Sequence, residues 1–274
     1  MTRIIGSVLV RNEDLFVEAA IRSVAGFCDR ILAFDHVSTD GTWDVLRALA
    51  REYDHVDARR TTQAADSHRA VEPYAGTKTW VLGIDGDELY DARRMQDFRT
   101  ELLAGAYDHV FKIGYNMLNC VEIDWDARTA SGYLSPPSRL ARKLYNFGAI
   151  ESWASDGAER LHGGTITYKH GYDHGSVDNI GDRLSWEETP LRCLHATFLR
   201  RSSVDPEHGQ PVLRPILEES AMQDRSWRGG LKRVVRRRRP PEVSEWKPQK
   251  YMRGELVTVD ASPFIRPAEP TALS

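Results

Sequence analysis

Residues 81–88 read Val-Leu-Gly-Ile-Asp-Gly-Asp-Glu, an apolar run that ends in two carboxylates separated by one glycine. A short, continuous apolar run of this kind is typical of a strand buried on both faces of a sheet. Side chains at positions i and i+2 leave a strand on the same face, so Asp85 and Asp87 can converge on one ligand. Divalent cations such as Mg²⁺ and Mn²⁺ prefer oxygen ligands and keep open positions for phosphate oxygens. The stretch therefore predicts a metal–diphosphate site at a strand end.

The alternative for this stretch is a solvated turn, because aspartate and glycine are both common in turns. Glu88 adds a third carboxylate directly after the pair. Three acids at one sheet edge repel each other unless a cation or another partner offsets their charge. The metal interpretation is therefore favoured.

The residues before this stretch alternate between two patterns. Continuous apolar runs predict buried strands over residues 4–10, 31–34 and 80–84, and a further strand is predicted over residues 55–59. Apolar residues at helical spacing predict a helix over residues 15–25, and further helices are predicted over residues 42–53 and 63–74. Thr39 or Asp40 is a candidate N-cap for the second helix. The alternation predicts an α/β fold with a mainly parallel sheet and helices on both of its faces.

The pattern changes after residue 90. A helix is predicted over residues 92–103, strands over 110–117 and 139–147, and a strand or short helix over 191–199. Residues 150–180 are rich in glycine, histidine and aspartate and lack periodicity, so we expect an irregular region there. The last 15 residues are expected to be loose.

Composition limits the class of protein. The chain has 274 residues, 41% of them hydrophobic and 28% charged, which is ordinary for a globular enzyme. A net charge of −3 argues against a nucleic-acid partner. There is no apolar run of about 20 residues and no signal-peptide pattern, and the three scattered cysteines suit neither a disulfide framework nor a zinc site. We expect a cytoplasmic protein, and the preference for arginine over lysine suggests a bacterial one.

A second acidic stretch, Asp35 to Thr42, also follows a predicted strand. A carboxylate at such a strand end can accept hydrogen bonds from a ribose hydroxyl or a base N–H. The alternative is that Asp35 and Asp40 only cap the next helix, which explains Asp40 better than Asp35.

Three segments together resemble a known family. Ser7–Glu13, Asp35–Thr42 and Ile84–Glu88 are similar, in order and spacing, to the motifs of GT-A glycosyltransferases, particularly the family 2-like branch. The resemblance covers residues 4–90 and implies a Rossmann-like GT-A fold followed by an irregular acceptor-side region. At the second motif, His36-Val37 replaces the more common Asp-Gly, which leaves the base of the donor open.

The resemblance also implies roles for individual residues. Arg11 and Glu13 would lie near the nucleotide base, and Asp35 would contact the base or ribose. Asp85 would sit near ribose and metal, and Asp87 would be the principal ligand of Mg²⁺ or Mn²⁺. The implied activity is metal-dependent transfer of a sugar from a nucleoside-diphosphate sugar to an acceptor hydroxyl on a small molecule or cell-envelope precursor, with inversion.

An inverting transfer needs a general base for the acceptor hydroxyl. The best candidates are Glu159, which is preferred, and Asp156, in the segment 153–164. His195 lies in an apolar stretch, where it is either a further metal ligand, as in some GT-A enzymes, or a buried core histidine.

The resemblance suggests a division of the chain into residues 1–115 as the nucleotide-sugar half and 116–224 as the acceptor-side half of one domain. Residues 225–274 form a basic C-terminal extension. Within it, Arg225 to Arg239 holds eight basic residues and no acidic one. This run could contact an anionic membrane surface, an acidic partner or the donor diphosphate, or could simply be a solvated segment, which is the favoured interpretation.

Three other functions compete with glycosyl transfer. A non-catalytic nucleotide- or sugar-binding module of the same fold remains the main alternative. A nucleotidyltransferase would need a glycine-rich loop after the first strand, and residues 11–14 contain no glycine. A phosphatase with a D-x-D motif would need Thr or Val at the position of Leu89.

Overall fold

The structure is a computed structural model that describes residues 2–159, 161, 163–204 and 246–265. Its first part is a parallel sheet. The strands are β1 (Arg3–Val10), β2 (Arg30–Asp35), β3 (Val56–Arg60) and β4 (Thr79–Ile84), in the spatial order β3-β2-β1-β4. Every neighbouring pair in this group is parallel, so the four carboxyl ends meet at one edge. β1 and β4 are almost entirely buried, as their apolar sequences predict.

Helices cover both faces of this sheet unequally. On one face lie α1 (Val17–Ala25), α2 (Thr42–Glu52) and α4 (Ala92–Leu103), which pack against Ile4 and Val8 of β1. On the other face, the short helix α3 (Asp66–Arg69) and the 3₁₀ turn Glu72–Tyr74 lie near Ile5 and Leu9. The alternation of β1 side chains between two apolar clusters is what a strand with both faces covered requires.

The sheet continues on the other side of β4 with antiparallel strands. The added order is β8 (Ala141–Asn146), β6 (Lys112–Asp124), β7 (Thr129–Leu134) and β13 (Leu256–Asp260). β12 (Arg192–His195) runs parallel to β6 and antiparallel to the short β5 (Glu88–Tyr90). This pairing brings a late segment of the chain to the acidic end of β4.

The remaining described elements are small. β9 (Ile150–Ala154) and β10 (Thr165–Tyr168) form a separate hairpin, and β11 (Val177–Asn179) pairs with β6. The described residues also include the 3₁₀ turn Phe147–Ala149 and three short α-helices: α5 (Ile180–Arg183), α6 (Trp246–Tyr251) and α7 (Ser262–Ile265). None of the helices in the described part of the chain has the length and apolar character needed to span a membrane.

The predicted fold class, a Rossmann-like α/β sheet of the GT-A type, is confirmed. Several predicted elements differ in detail. The helix expected over residues 63–74 is broken into α3 and a 3₁₀ turn, where Pro73 enters the first turn. The N-cap of α2 is Gly41 rather than Thr39 or Asp40, although Asp40 accepts a hydrogen bond from the Thr42 N–H at 3.0 Å.

Regular structure also occurs where we expected irregular chain. β9, β10 and β11 lie within residues 150–180, and β13 and α7 overlap the final 15 residues. β7 was not predicted because the first four residues of its sequence, Thr-Ala-Ser-Gly-Tyr-Leu, are small and show no apolar run. Its glycine is needed nevertheless, since a Cβ at Gly132 would lie 2.3 Å from the backbone oxygen of Asn119.

The proposed division at residue 115 stays a prediction, and strand β6 runs across that position. The basic run Arg225–Arg239 lies outside the described residues.

Candidate metal centre

The register of the parallel strands brings the predicted residues of the first three motifs to one edge. Val10 is level with Asp35 in the β1–β2 pair, and Val8 is level with Ile84 in the β1–β4 pair. The residues that follow β1, β2 and β4 therefore lie side by side. The sequence order of the motifs, β1 then β2 then β4, becomes the spatial order β2-β1-β4.

The structure adds His195 to the acidic pair. One ligand atom from each of Asp85, Asp87 and His195 lies within 4.8 Å of the other two, and all three residues are buried. His195 reaches this place because β12 pairs it with Glu88 of β5 on one side and with Asn119 of β6 on the other. Two carboxylates and an imidazole form a donor set that could bind a divalent cation.

The orientation of the His195 ring suits metal binding. Its Nδ1 lies 3.0 Å from Asn119 Oδ1, and the Asn119 amide nitrogen donates to the Tyr133 carbonyl at 3.2 Å. Because the amide nitrogen is turned toward Tyr133, the oxygen faces the ring and Nδ1 carries the proton. The Nε2 lone pair then points to the acids, with Nε2 3.9 Å from Asp87 Oδ2. A second hydrogen bond of this kind is common behind metal-binding histidines.

Arg201 connects the acidic pair to the loop after β1. Its Nη1 lies 3.0 Å from Glu13 Oε1 and 3.4 Å from Asp87 Oδ2, and the arginine is 4% exposed. The Glu13 N–H donates to Thr42 Oγ1 at 2.9 Å, which fixes the loop on the start of α2. Two acids and one guanidinium are thus buried together at the strand ends.

Gly86 is required by the close approach of this loop. A Cβ at residue 86 would lie 2.2 Å from Glu13 Oε2 and 2.6 Å from Val10 Cγ1. Side-chain contacts this short do not occur, so the middle residue of the Asp85-Gly86-Asp87 motif has to be glycine for Glu13 to pack where it does.

Lys143 of β8 holds Asp85 and Glu88 together. Its Nζ donates to Asp85 Oδ2 at 2.5 Å and to Glu88 Oε1 at 2.7 Å, and its side chain is 16% exposed. Burial alone would lower the pKa of Lys143, but the charges of Asp85 and Glu88 raise it well above its usual value. Glu88 also accepts a hydrogen bond from the Tyr90 hydroxyl at 2.9 Å. The third carboxylate of the motif is therefore an anchor in the core, where Lys143 and Tyr90 satisfy it.

Asp35, the last residue of β2, is fully buried beside the loop that follows the strand. Its carboxylate accepts from the Ser38 N–H at 3.2 Å and pairs with Arg60 Nε at 3.1 Å. Asp35 therefore shapes the loop before α2 but does not cap that helix, whose N-cap is Gly41. Within this loop Val37 has φ 53°, a left-handed conformation that β-branched residues rarely adopt.

Three of the predicted residues are not part of the buried acidic group. Arg11 follows β1, and its Nε is buried without a hydrogen-bond partner. Asp156 and Glu159 lie in the loop between β9 and β10, where Asp156 Oδ2 accepts from Thr165 Oγ1 at 2.6 Å. Within the described part of the chain, neither acid makes a hydrogen bond or ion pair with Asp85, Asp87 or His195. The general-base assignment stays a prediction.

Sequence reasoning missed Lys143, Asn119 and Arg201. One signal was present: Lys143 is one of only seven lysines and lies inside a predicted strand, where a charged side chain needs a partner. Asn119 and Arg201 have no comparable local signal, since their roles depend on the pairing of β6 with β12 and on the loop that follows it.

No family model matches the chain, and no curated protein matches it. Among solved structures, it is similar to a 4-diphosphocytidyl-2C-methyl-D-erythritol synthase from Anaerococcus prevotii, with a TM-score of 0.33 and 13% identity over 53% of this chain and 70% of that one. A mannose-6-phosphate isomerase from Helicobacter pylori gives a TM-score of 0.33 and 9% identity, over 53% and 72% of the two chains.

A UDP-glucose pyrophosphorylase in complex with UDP-glucose gives a TM-score of 0.29 and 9% identity, over 62% of this chain and 90% of that one. TM-scores this low do not establish a shared fold, and identities this low carry no information about activity. The fold assignment therefore depends on the strand order and register described above.

Proposed function

We propose that this protein is a metal-dependent glycosyltransferase of the GT-A, family 2-like type, which moves a sugar from a nucleoside-diphosphate sugar to an acceptor hydroxyl. The observation that carries the proposal is the group formed by Asp85, Asp87 and His195, beside Glu13 and Asp35 at the carboxyl edge of the parallel strands. Ligands of open α/β sheets bind at this edge.

In this proposal the two sides of the acidic pair have different tasks. Arg11 and Glu13, which follow β1, and Asp35, the last residue of β2, bind the nucleoside. Asp85, Asp87 and His195 hold Mg²⁺ or Mn²⁺, which offsets the charge of the departing diphosphate. Asn119 keeps the His195 ring in the tautomer whose Nε2 lone pair faces the acids.

The transfer itself needs one proton acceptor. The acceptor hydroxyl oxygen attacks the anomeric carbon as the bond from that carbon to the diphosphate oxygen breaks, and a carboxylate takes the hydroxyl proton. Glu159 is our first candidate for this carboxylate and Asp156 the second. Both lie in the β9–β10 loop, and to act they would need to approach the sugar when the substrates bind.

The test is a thermal-shift panel of UDP, GDP, dTDP and CDP, each with and without Mn²⁺. We expect one nucleotide to raise the melting temperature only when Mn²⁺ is present, since stabilisation follows occupancy of the folded state. Asp87→Asn should abolish this shift, and Asp44→Asn, an exposed aspartate on α2, should keep it. The absence of any metal-dependent shift with wild-type protein would contradict the proposal.

Product analysis separates the related functions. Incubation with the matching nucleotide sugar and Mn²⁺ should release the nucleoside diphosphate. Binding without release would favour the non-catalytic module. Release of pyrophosphate from a nucleoside triphosphate and a sugar phosphate would instead identify a nucleotidyltransferase.

A further inference from the structure

A strongly basic groove lies next to the candidate metal centre and has no part in the function proposed so far. It is an open groove of roughly 540 Å³, lined by Pro137, Arg139, Arg142, Gln249, Lys250 and Arg253. Four of these six residues are cationic and none is acidic. The space is within the range of pockets that bind small molecules.

The three arginines of the groove, Arg139, Arg142 and Arg253, form no ion pair with a carboxylate that the structure describes. Arg142 Nε donates to Asn179 Oδ1 at 2.8 Å, and Arg253 Nε donates to the Gln249 carbonyl at 2.7 Å, so both make neutral hydrogen bonds. The exposed Arg139 side chain makes no hydrogen bond or ion pair within the described residues. Burial, then Arg142 and Arg139, lower the pKa of the nearby Lys112, as expected beside uncompensated positive charge.

The groove is held in a defined shape. Ser138 Oγ donates to the Tyr251 carbonyl at 3.0 Å and accepts from the Arg253 N–H at 3.1 Å, and the Arg139 N–H donates to the Lys250 carbonyl at 3.3 Å. These bonds fasten the end of α6 to the segment before β8. Arginines on a fixed frame favour an anion with several oxygens, because guanidinium groups bind such oxygens in pairs.

Strand register places the groove at the same edge as the acidic pair. β8 runs antiparallel to β4 with Leu144 level with Leu82, so Arg142 lies near the end of β4 and Arg139 beyond it. The neighbouring residue, Lys143, bonds Asp85 directly. On the other side, the Tyr251 ring packs edge-on against the His195 ring, with centroids 5.4 Å apart. The chain neighbours of two groove residues, Arg142 and Lys250, thus contact the metal group.

The order of the strands places the basic groove on the opposite side of the acidic pair from the predicted nucleoside site. Asp35 and Glu13 lie on the β2–β1 side of the acidic pair, and the basic groove lies on the β8 side. A nucleoside on the first side and an anionic group on the second would meet at Asp85 and Asp87. We propose that the basic groove binds a phosphate group of the second substrate, so that the acceptor is a phosphorylated molecule. The identification of this substrate as a sugar acceptor rests on the proposed function, whereas the anion site itself does not.

Calorimetry with phenyl phosphate, in buffer containing EDTA, tests the groove without nucleotide or metal. We expect wild-type protein to bind this phosphomonoester and Arg139→Gln/Arg253→Gln to bind it at least about tenfold more weakly, the usual scale for losing charge-assisted hydrogen bonds. Arg93→Gln, an exposed arginine on α4, is the matched control and should bind as wild type does. The single variant Arg139→Gln provides a second test if the double variant does not fold.

The outcomes are distinct. Absence of phenyl phosphate binding, or equal binding by the double variant, overturns the proposal. Loss of Mn²⁺-dependent nucleoside diphosphate binding in the double variant also overturns it, because the groove would then belong to the donor. Sedimentation with phosphatidylglycerol vesicles without phenyl phosphate binding would identify a membrane contact instead. If phenyl phosphate binds through the groove but no nucleotide binds, the function proposed above fails and the anion site stands.

Discussion

Arg201 Nη1 lies 3.4 Å from Asp87 Oδ2, although the two residues are 114 positions apart in the chain. The same nitrogen contacts Glu13 Oε1 at 3.0 Å. The guanidinium therefore offsets part of the negative charge that a divalent cation would offset at Asp85 and Asp87. A buried arginine in this place stabilises the metal-free protein and competes electrostatically with the metal.

Removing the charge of Arg201 should have two opposite effects. Arg201→Gln should bind Mn²⁺ more tightly, by about tenfold, because a positive charge next to the ligands is lost. The same change should lower the free energy of unfolding without metal by about 3 kcal/mol, since Glu13 and Asp87 lose a buried partner. Calorimetry with Mn²⁺ and urea unfolding measure the two quantities.

The neighbouring Arg200 supplies the control for that experiment. Arg200→Gln removes the same charge from an exposed side chain whose bonds go to the Ser202 and Ser203 carbonyls. It should leave Mn²⁺ affinity nearly unchanged. Weaker Mn²⁺ binding by Arg201→Gln would show that our account of the charge balance is wrong.

The close approach at Gly86 predicts that alanine at this position destabilises the protein much more than alanine at Gly83 does. Gly86→Ala should lower the free energy of unfolding by about 1–3 kcal/mol, because its Cβ would overlap Glu13 and Val10. Gly83→Ala should be close to neutral, since its Cβ would meet Lys143 Cβ at an ordinary 3.7 Å. Urea unfolding of both variants checks this, and equal stabilities would refute the steric argument.

The left-handed backbone of Val37 predicts a stabilising substitution. Val37→Gly should raise the free energy of unfolding by about 1 kcal/mol, since glycine adopts φ 53° without the steric cost that a β-branched residue bears. Val37→Ala keeps a Cβ at this φ and is the control, with most of the strain retained. The melting temperature should be highest for Val37→Gly, intermediate for Val37→Ala and lowest for the wild-type protein.

His68 predicts a pH dependence of stability. It is fully buried, its ring packs edge-on against Trp153 at 5.3 Å, and burial lowers its pKa despite the opposing effect of Glu72. Below about pH 6.5 the unfolded chain binds a proton at this residue that the folded chain does not, so stability falls as the pH falls. The free energy of unfolding decreases by at most about 1.4 kcal/mol per pH unit, and the decrease ends once the pH falls below the pKa of His68 in the folded protein.

Urea unfolding between pH 7.5 and 5, in steps of about half a unit, measures this dependence. His68→Gln should flatten the decline relative to wild type. His109→Gln, at an exposed histidine, should not. If the free energy of unfolding falls equally with pH in wild type and His68→Gln, the pH dependence comes from groups other than His68.

The choice of general base is tested by two matched amides. Glu159→Gln should leave metal-dependent nucleotide binding intact and reduce sugar transfer at least about 10²-fold, the usual scale for losing a general base. Asp156→Asn should have the smaller effect. The reverse result would make Asp156 the base, and full activity in both variants would exclude the β9–β10 loop from this role.

The sequence alone determined most of the parallel sheet and the acidic residues at its edge. Strands β1, β2, β3 and β4 and helix α4 follow from local periodicity, which depends only on neighbours within a turn or two. Asp85 and Asp87 were predicted as a pair because the two-residue period of a strand is also local. The predicted place of Asp35 follows from parallel strands ending at one edge, and that of Glu13 from the resemblance to the GT-A motifs.

Only the tertiary structure decided which distant residues complete the centre. His195 could equally be a core histidine until β12 pairs with β5 and β6, and Lys143 and Arg201 reach the acids through contacts across 55 or more positions. Such contacts depend on strand register and loop path, which no short window of sequence encodes. The basic groove has the same origin, because its arginines come from two segments more than 100 residues apart that meet where α6 packs against the start of β8.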